Sequence, residues 1–465
     1  MKNLKRFYYA LTSTRAGGAY ILLIAFLIGL ATFIENDFGT SAAQKVIFKT
    51  HWFEGLLFLF GLSIFQNIIT FRMFQRKKWF MLLFHAAIIL ILIGALVTRY
   101  FGFEGSMHIR EGAVSNTLQS RDAYINFKAS KDGKRYAFHL PVLFSSLGNN
   151  RYAKDYIIGK IPLKVEVLDF IPNPTEEMKA SDDGVPMLWV VQGGRNGRSN
   201  YYVPFHTTRR LDGLTLQFGD NTSRSAPTVQ FDYRNDSLLF MSRVPMTRMT
   251  MATRALDTVM PGKWYPAKLR SLHSGNGINF VIKEFNPKAK LVSFSSSKKL
   301  NGTDEGAVRL RLSTPKVQKE VTIRGAQAYN GAAKRVDLGP IELYVDYGPR
   351  AVTLPFALQL TDFRLEKYPG TERPASYESD VILLDPAKKL KKPYKIYMNH
   401  VLDHNGYRFF QSSYDQDEKG TILSVNHDWW GTWISYVGYI LFTIGLLAMF
   451  FSGVSRFRKL SKHID

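Results

Sequence analysis

The 465-residue chain contains no cysteine. Disulfides are therefore excluded as a framework in the compartments where they would form, and any folded part outside a membrane must be stable through its core alone. Thiol exchange is excluded as an activity. The sequence also lacks a phosphate-cradling glycine loop, a nucleophile motif and a Ser/His/Asp arrangement, so no hydrolytic or phosphoryl-transfer chemistry announces itself. Charge is scarce in four places: Gly18–Ile34, Phe53–Phe71, Trp79–Val97 and Trp433–Phe451 are nearly free of it over 17 to 19 residues each. Each run is close to the roughly 20 residues that cross a hydrocarbon core as helix.

Basic residues sort these runs. Lys2, Lys5, Arg6 and Arg15 precede the first, Arg72, Arg76, Lys77 and Lys78 link the second to the third, and Arg456, Arg458, Lys459 and Lys462 follow the fourth. If every run spans, all three clusters fall on one side, which the positive-inside rule makes cytoplasmic. The expected layout is a cytoplasmic N-terminus (1–17), spans at 18–34, 53–71, 79–97 and 432–451, an outer loop (35–52), a cytoplasmic link (72–78), an extracytoplasmic domain (98–431) and a cytoplasmic tail (452–465). Ser41-Ala42-Ala43 resembles a signal-peptidase site, but the preceding apolar run exceeds the usual 7–15 residues or so, so an uncleaved anchor is expected. Gly17, Gly18 and Gly29 are placed to seat a neighbouring helix. In the loop, Ala42, Ala43, Val46, Ile47 and Phe48 suggest an amphipathic interfacial turn, with His51 an interfacial polar group and Trp52 a belt residue.

In the expected outer segment (98–431), 47 basic residues face 34 acidic ones. A surplus of this size on the outer side suits an anionic lipid face, an acidic partner or a simply solvated surface rather than nucleic acid. Strict alternation in 163–167, 308–312 and 357–360 predicts half-buried strands. Asp132-Gly133, Gly275-Asn276-Gly277, Asn301-Gly302 and Asn405-Gly406 predict the turns between them. The fold expected is a polytopic α-helical membrane protein with four transmembrane helices and a large mainly-β extracytoplasmic domain inserted between helices three and four. Ile161–Phe170 weakly echoes Leu354–Phe363, as two related lobes or by chance, and loop residues place a soft seam near 270–300.

His85 is the one group deep in a span that titrates near neutrality; Glu54 lies at the outer edge of its run, where water reaches it. An intramembrane imidazole offers metal or haem-iron ligation or a proton relay. The structural alternative is a neutral ring bonded to Gln66 or to a backbone carbonyl. Gln66 and Asn67 share its depth and are candidate orienting groups. A bis-histidine b-type haem needs two ligands and the spans hold one, so haem is either shared with another subunit or absent. His108, His139, His206, His273, His400, His404 and His427 show no metal-type spacing backed by carboxylates, and read as surface or core polar groups.

Three stretches carry a resemblance. Phe84-His85-Ala86 to Gly94 is similar to an FH…LIxxG helix. Phe101-Gly102-Phe103-Glu104-Gly105 with Ile109-Arg110-Glu111-Gly112 is similar to an FGxEGxxxIxEG exit. Gly406 to Tyr414, GYRFFQSSY, with Val425-Asn426-His427-Asp428, is similar to a GYRFxQxSY return. Together with the layout, they resemble the ResB (CcsB) family of system II cytochrome c biogenesis, firmly over about a hundred residues. The resemblance implies a subunit that works with a ResC (CcsA) partner bearing a WGxxWxWD segment. The pair handles haem and presents apocytochrome c for covalent attachment at CxxCH outside a bacterial inner membrane. Asp428-Trp429-Trp430 is not that segment, so this chain looks like the ResB half and needs its partner. The family's transmembrane histidine maps onto His85, implying one axial ligand to a haem b shared with the partner. With no cysteine here, a separate thioredoxin-like protein must keep the apocytochrome thiols reduced. No catalytic residue is expected, because thioether formation depends on the proximity of vinyl and thiol; the chain would be a non-catalytic subunit of a holocytochrome c synthase. The rival reading is a membrane-anchored β-domain that scaffolds or senses, with His85 as packing.

Overall fold

The computed structural model describes residues 2–75, 78–194, 197–211, 213–220 and 228–451. Arg76, Lys77, Arg456, Arg458, Lys459, Lys462 and the rest of the expected tail lie outside them. Helices are α1 (Lys2–Leu11), α2 (Thr14–Phe38), α3 (Thr40–Ala43), a π-helical turn (Gln44–Phe48), α4 (His51–Thr70), α5 (Trp79–Phe101) and α6 (Trp429–Phe451). Four of them, α2, α4, α5 and α6, are long and apolar enough to cross a membrane. α2 overruns its charge-free stretch at both ends, α5 at its C-terminal end, and α4 and α6 at their N-terminal ends.

The 35–52 connection is mostly helical rather than loop. Gly39 ends α2 at φ 88°, a conformation costly for any side chain, and Thr50 caps α4 by accepting the Phe53 N–H at 3.4 Å. Between them Ala43 and Ile47 are buried against Leu27, Ala31, Phe53 and Leu56, the expected amphipathic turn. Leu300 N–H donates to Phe38 O at 3.2 Å. Lys45 reaches Leu143 O at 2.7 Å and Asn150 Oδ1 at 2.5 Å, and desolvation holds its ammonium down at about 8. Of the three glycines of span one, Gly17 alone seats a neighbour: a Cβ there would lie 2.6 Å from Ser63 Oγ, whereas Gly18 and Gly29 face open space.

Between Phe101 and Trp429 every described element is a strand. The chain divides into two compact units, one comprising 1–173 and 297–465, the other Pro174–Ser296. In the first, a ten-stranded sheet runs Leu390–Tyr397, Pro374–Asp385, Glu342–Lys367, Val114–Lys131, Phe103–Arg110, Gly420–His427, Tyr407–Tyr414, Leu402–His404, with Lys334–Asp337 and Lys134–Val142 paired alongside. A four-stranded sheet adds Gln318–Gly325, Gly306–Ser313, Ile161–Pro172 and Ala153–Ile158. The predicted alternation holds: Leu163, Val165, Val167, Val308, Leu310, Leu312, Leu358 and Leu360 are buried. Asp132-Gly133, Asn276-Gly277 and Asn405-Gly406 take paired positive φ, the mirror-image turn that matches strand twist. The two echoing stretches belong to different sheets and different cores. Val114–Lys131 and Glu342–Lys367 serve both cores, changing register between Gln119 and Ala123. There Ser120 Oγ donates to Asp122 O at 2.7 Å and accepts from Arg350 N–H at 2.8 Å.

The second unit has two sheets over one core of Leu188, Leu216, Phe231, Phe240, Phe280 and others. Its long strands Pro174–Gly194 and Ile278–Ser295 pair antiparallel and carry the chain in and out. The expected seam at 270–300 thus meets one true boundary, near Ser297. Its 271–277 part is instead a hairpin inside this unit, and the other boundary, at Asn173 (φ 47°), has no composition shift to announce it. His273 is wholly buried, stacked on Phe280 at 4.9 Å, with Nδ1–H donating to Ser271 O at 3.1 Å. Desolvation, aided by Arg248 directly across the strand pair, holds the imidazole down at about 4. The native state therefore binds fewer protons than the unfolded chain between pH 6.5 and 4, so stability falls as pH drops through that window, by about 3 kcal/mol in total. Hydrogen exchange of the 174–296 strands at pH 7 and pH 4.5 should show this loss in the wild type and a flatter response in His273→Phe; parallel responses would refute it.

Candidate functional site

The segments after α5 and before α6 are strand neighbours. Phe103–Arg110 pairs with Gly420–His427 in unbroken antiparallel register, from Phe103 opposite His427 to Arg110 opposite Gly420. Gly420–His427 pairs in turn with Tyr407–Tyr414. At the helix end of this stem, the Thr98 hydroxyl donates to Asp428 Oδ2 at 2.5 Å, and Asp428 Oδ1 accepts the Gly431 N–H at 3.1 Å. Asp428 so caps α6 and ties it to α5. At the far end Arg110 bonds Asp415 at 2.5 Å and Asp417 at 2.6 Å, holding the Asp417 carboxyl down at about 2. His108 Nε2 lies 2.9 Å from Asp415. The Gln411 side chain closes a buried triangle with Ser379 and Thr421, at 2.7 and 2.8 Å. These motif residues build the stem.

Below the stem α5 and α6 run antiparallel along a glycine seam. Gly431, Gly438 and Gly445 are all buried and seven residues apart, two turns, which puts them on one stripe of α6. A Cβ on Gly438 would lie 2.7 Å from Ile91 Cγ1, and one on Gly445 2.8 Å from Phe84 N. Phe84 in turn packs on Phe442 at 4.7 Å. The spacing is visible in the sequence, and the heptad of small residues is the signal that reading single glycines misses.

His85 is half-buried on α5, among Met81, Leu82, Ile88 and Ile89, which pack against Ile64, Ile68 and Met73. Its Nδ1 is 2.7 Å from Met81 O. A carbonyl only accepts, so Nδ1 carries the proton and Nε2 keeps its lone pair; among the described residues the ring has no other hydrogen bond. Neither expected orienting amide reaches it. Gln66 Oε1 accepts from Tyr8 OH at 3.0 Å and its Nε2 donates to Thr70 Oγ1 at 3.2 Å, while Asn67 Oδ1 accepts from Thr14 Oγ1 at 2.9 Å. Depth is shared but azimuth is not: Gln66 is two residues from both Ile64 and Ile68, about 200° round the helix. Glu54, expected in water, is instead ion-paired: Arg99 Nε at 2.6 Å, with Tyr100 OH and His51 Nδ1 each at 2.8 Å.

Two histidines read as lacking carboxylates have them. His108 has Asp415, and His404 donates Nε2–H to the buried Asp385 at 2.8 Å, with Phe356 edge-on at 4.8 Å. Their partners lie 307 and 19 residues away, beyond any local pattern. His139 bonds Asn126 at 2.8 Å, His400 bonds Lys395 O at 2.7 Å, His206 bonds Asp220 O at 3.0 Å, and His427 packs on Tyr407 at 4.2 Å. Among the described residues no three His, Asp or Glu side chains converge as a metal site. A cavity of about 350 Å³ opens between the hairpin around Asn405 and the first two turns of α6, lined by His404, Arg408, Trp429 and Trp433 among others. Thirteen residues of helix separate Thr432 on its wall from Gly445, at the level of His85, about 20 Å. His85 and the histidines of the strand domain are therefore distinct sites.

The ResB-like family matches residues 75–145 and 313–427, that is, α5, the stem and most of the ten-stranded sheet. Over these segments the chain is similar to the ResB-like family. Both matched segments lie in the unit that holds the helices, and Pro174–Ser296 falls in the gap between them. Protein NrfI of Wolinella succinogenes is 28% identical over 439 residues, 94% of this chain and 34% of that protein. The chain thus spans about a third of the length of the curated relative it matches. The seam generates a prediction. Gly438→Leu should force α5 and α6 apart and lower the thermal midpoint of the detergent-solubilised chain by several degrees, whereas Gly29→Leu, in open space, should not; equal midpoints would show that the seam is not close-packed.

Proposed function

We propose that this chain is the ResB-type membrane subunit of a cytochrome c maturation complex, sitting in a bacterial inner membrane with both termini cytoplasmic and residues 98–431 outside. Arg72 and Lys78 flank one end of the α4–α5 pair, and at the other end the 38–50 connection bonds to strand-domain residues, which supports the sided arrangement. Its partner is a ResC (CcsA) membrane protein with the WGxxWxWD segment; its substrates are haem b and apocytochrome c, and a separate thioredoxin-like reductant keeps the CxxCH thiols free.

The observation that carries the haem reading is the tautomer of His85. The Met81 carbonyl holds the ring by Nδ1–H and leaves Nε2 as a ligand, the arrangement that metal-binding histidines use. His85 would hold haem iron from this chain, and the partner would hold it from its own side. Haem so held provides the vinyl groups to which the CxxCH thiols add. This chain's own residues position: the glycine seam sets the rotation of α5, Glu54 and Arg99 lock its outer end to α4, and the strand stem offers a rigid surface for apocytochrome and partner.

The test is to co-purify the chain with its WWD-bearing partner and record reduced-minus-oxidised spectra of wild type and His85→Ala. The expected outcome is a haem signal several-fold weaker in the variant, recovered with millimolar imidazole. A fully assembled variant with unchanged haem content would leave the chain as scaffold and end the ligand role.

A further inference from the structure

The cavity above α6 has two kinds of wall. Trp429, Trp433 and Tyr436 come from α6 and Tyr407 and Phe410 from the hairpin, so much of its lining is aromatic. The Trp429, Trp433 and Tyr436 rings follow one another at 6.3 and 6.4 Å, where a membrane helix meets water and aromatic belts form.

The polar wall is unbalanced in a specific way. The Asp428 carboxylate accepts from the Thr98 hydroxyl and the Gly431 N–H, but among the described residues no Lys or Arg nitrogen comes within the 4.0 Å of an ion pair. It is a half-buried charge without a cation. His404, held through Nε2–H by Asp385, keeps Nδ1 as an acceptor. Arg408 gives Nε and Nη2 to Asp403, at 2.7 and 3.1 Å, and also interacts with the Tyr436 hydroxyl on the same wall, so its positive charge is shared between one carboxylate and the cavity. Arg408 stands opposite Asn426 in the strand pair, two residues before Asp428, so the two charges lie at one end of the stem. The cavity therefore offers a carboxylate, the Nδ1 side of an imidazole, π faces and a guanidinium. A primary ammonium satisfies the first three, and a phosphate the last.

The source of such a zwitterion is fixed by what lies below the cavity. Tyr436 on its wall, then Ile440, Ile444 and Leu447, are each exposed by 46–59% and follow at three- or four-residue spacing. They form an apolar track down α6, along which acyl chains can lie.

We propose that this cavity is a binding site for the head group of phosphatidylethanolamine, with the ammonium at Asp428 and His404 and the phosphate at Arg408. The site is independent of haem. Selectivity follows from the chemistry: a choline head group has no N–H to donate to Asp428 or His404, and a glycerol head group brings an anion without a cation.

The experiment is native mass spectrometry of the full chain in detergent, delipidated and titrated with phosphatidylethanolamine, phosphatidylcholine or phosphatidylglycerol, with thermal midpoints recorded in parallel. Wild type should retain one phosphatidylethanolamine about tenfold better than either other lipid. Millimolar phosphoethanolamine without acyl chains should not displace it; displacement would overturn the lipid source. Asp428→Asn, which keeps the cap and the Thr98 bond while losing the charge, should bring phosphatidylethanolamine down to the phosphatidylcholine level. Arg408→Gln should weaken all three lipids alike. If Asp428→Asn also lowers the midpoint, His404→Gln, whose amide can still donate to Asp385, takes its place and must lose the same selectivity. Equal retention of the three lipids by wild type, or unchanged selectivity in a variant of unchanged midpoint, would overturn the proposal.

Discussion

A helix that leaves a membrane must find partners at once for its last backbone groups, because the hydrocarbon offers none and exposed strands invite wrong pairing. In this chain that constraint is met twice by one device. Gly102 N–H closes the last turn of α5 on Thr98 O, the next residue already pairs in a sheet, and the strand it pairs with feeds α6 after a single residue, Asp428. The two helices, 330 residues apart in sequence, are held in register by one ladder of strand bonds and one hydroxyl–carboxylate bond. The ten-stranded sheet grows outward from that ladder, and the glycine seam continues it into the membrane.

The parts of this design that depend on periodicity are legible in the sequence. Charge-free runs gave the four helices, alternation gave the buried faces of Leu163–Val167 and Val308–Leu312, and Asn-Gly and Asp-Gly pairs gave the tight hairpins. The ends were less legible, since a helix stops where its cap or its tertiary contact says, not where hydropathy drops. Thr98 to Phe101 is polar enough to look like loop and is helix because Arg99 and Tyr100 have Glu54 to bond.

At the site, depth was legible and direction was not. A hydropathy plot ranks residues along the membrane normal, and by that ranking Gln66 and His85 are neighbours. Which way each points depends on how α4 is rotated, and that rotation is set by Ser63 against Gly17 and by Ile64 and Ile68 against α5. The carboxylates of His108 and His404 were hidden for a related reason: sheet order, not sequence order, makes Asp415 and Asp385 their neighbours. The division at Asn173 was invisible because the strand Ile161–Pro172 ends one residue before the strand Pro174–Gly194 begins.

The connection between α2 and α4 has a consequence for biosynthesis. Its anchors, Leu143, Asn150 and Leu300, are translated roughly 100 to 250 residues after Lys45 and Phe38. The first two membrane helices are therefore inserted long before the surface that seats their connection exists. Until residues 143–150 have been made and have folded, Lys45 has only water to hydrate it, so its burial at the Leu143 carbonyl follows the making of α2 and α4. The helices are made in chain order, but the connection between α2 and α4 can be seated only after residues 143–150 and Leu300 have been made.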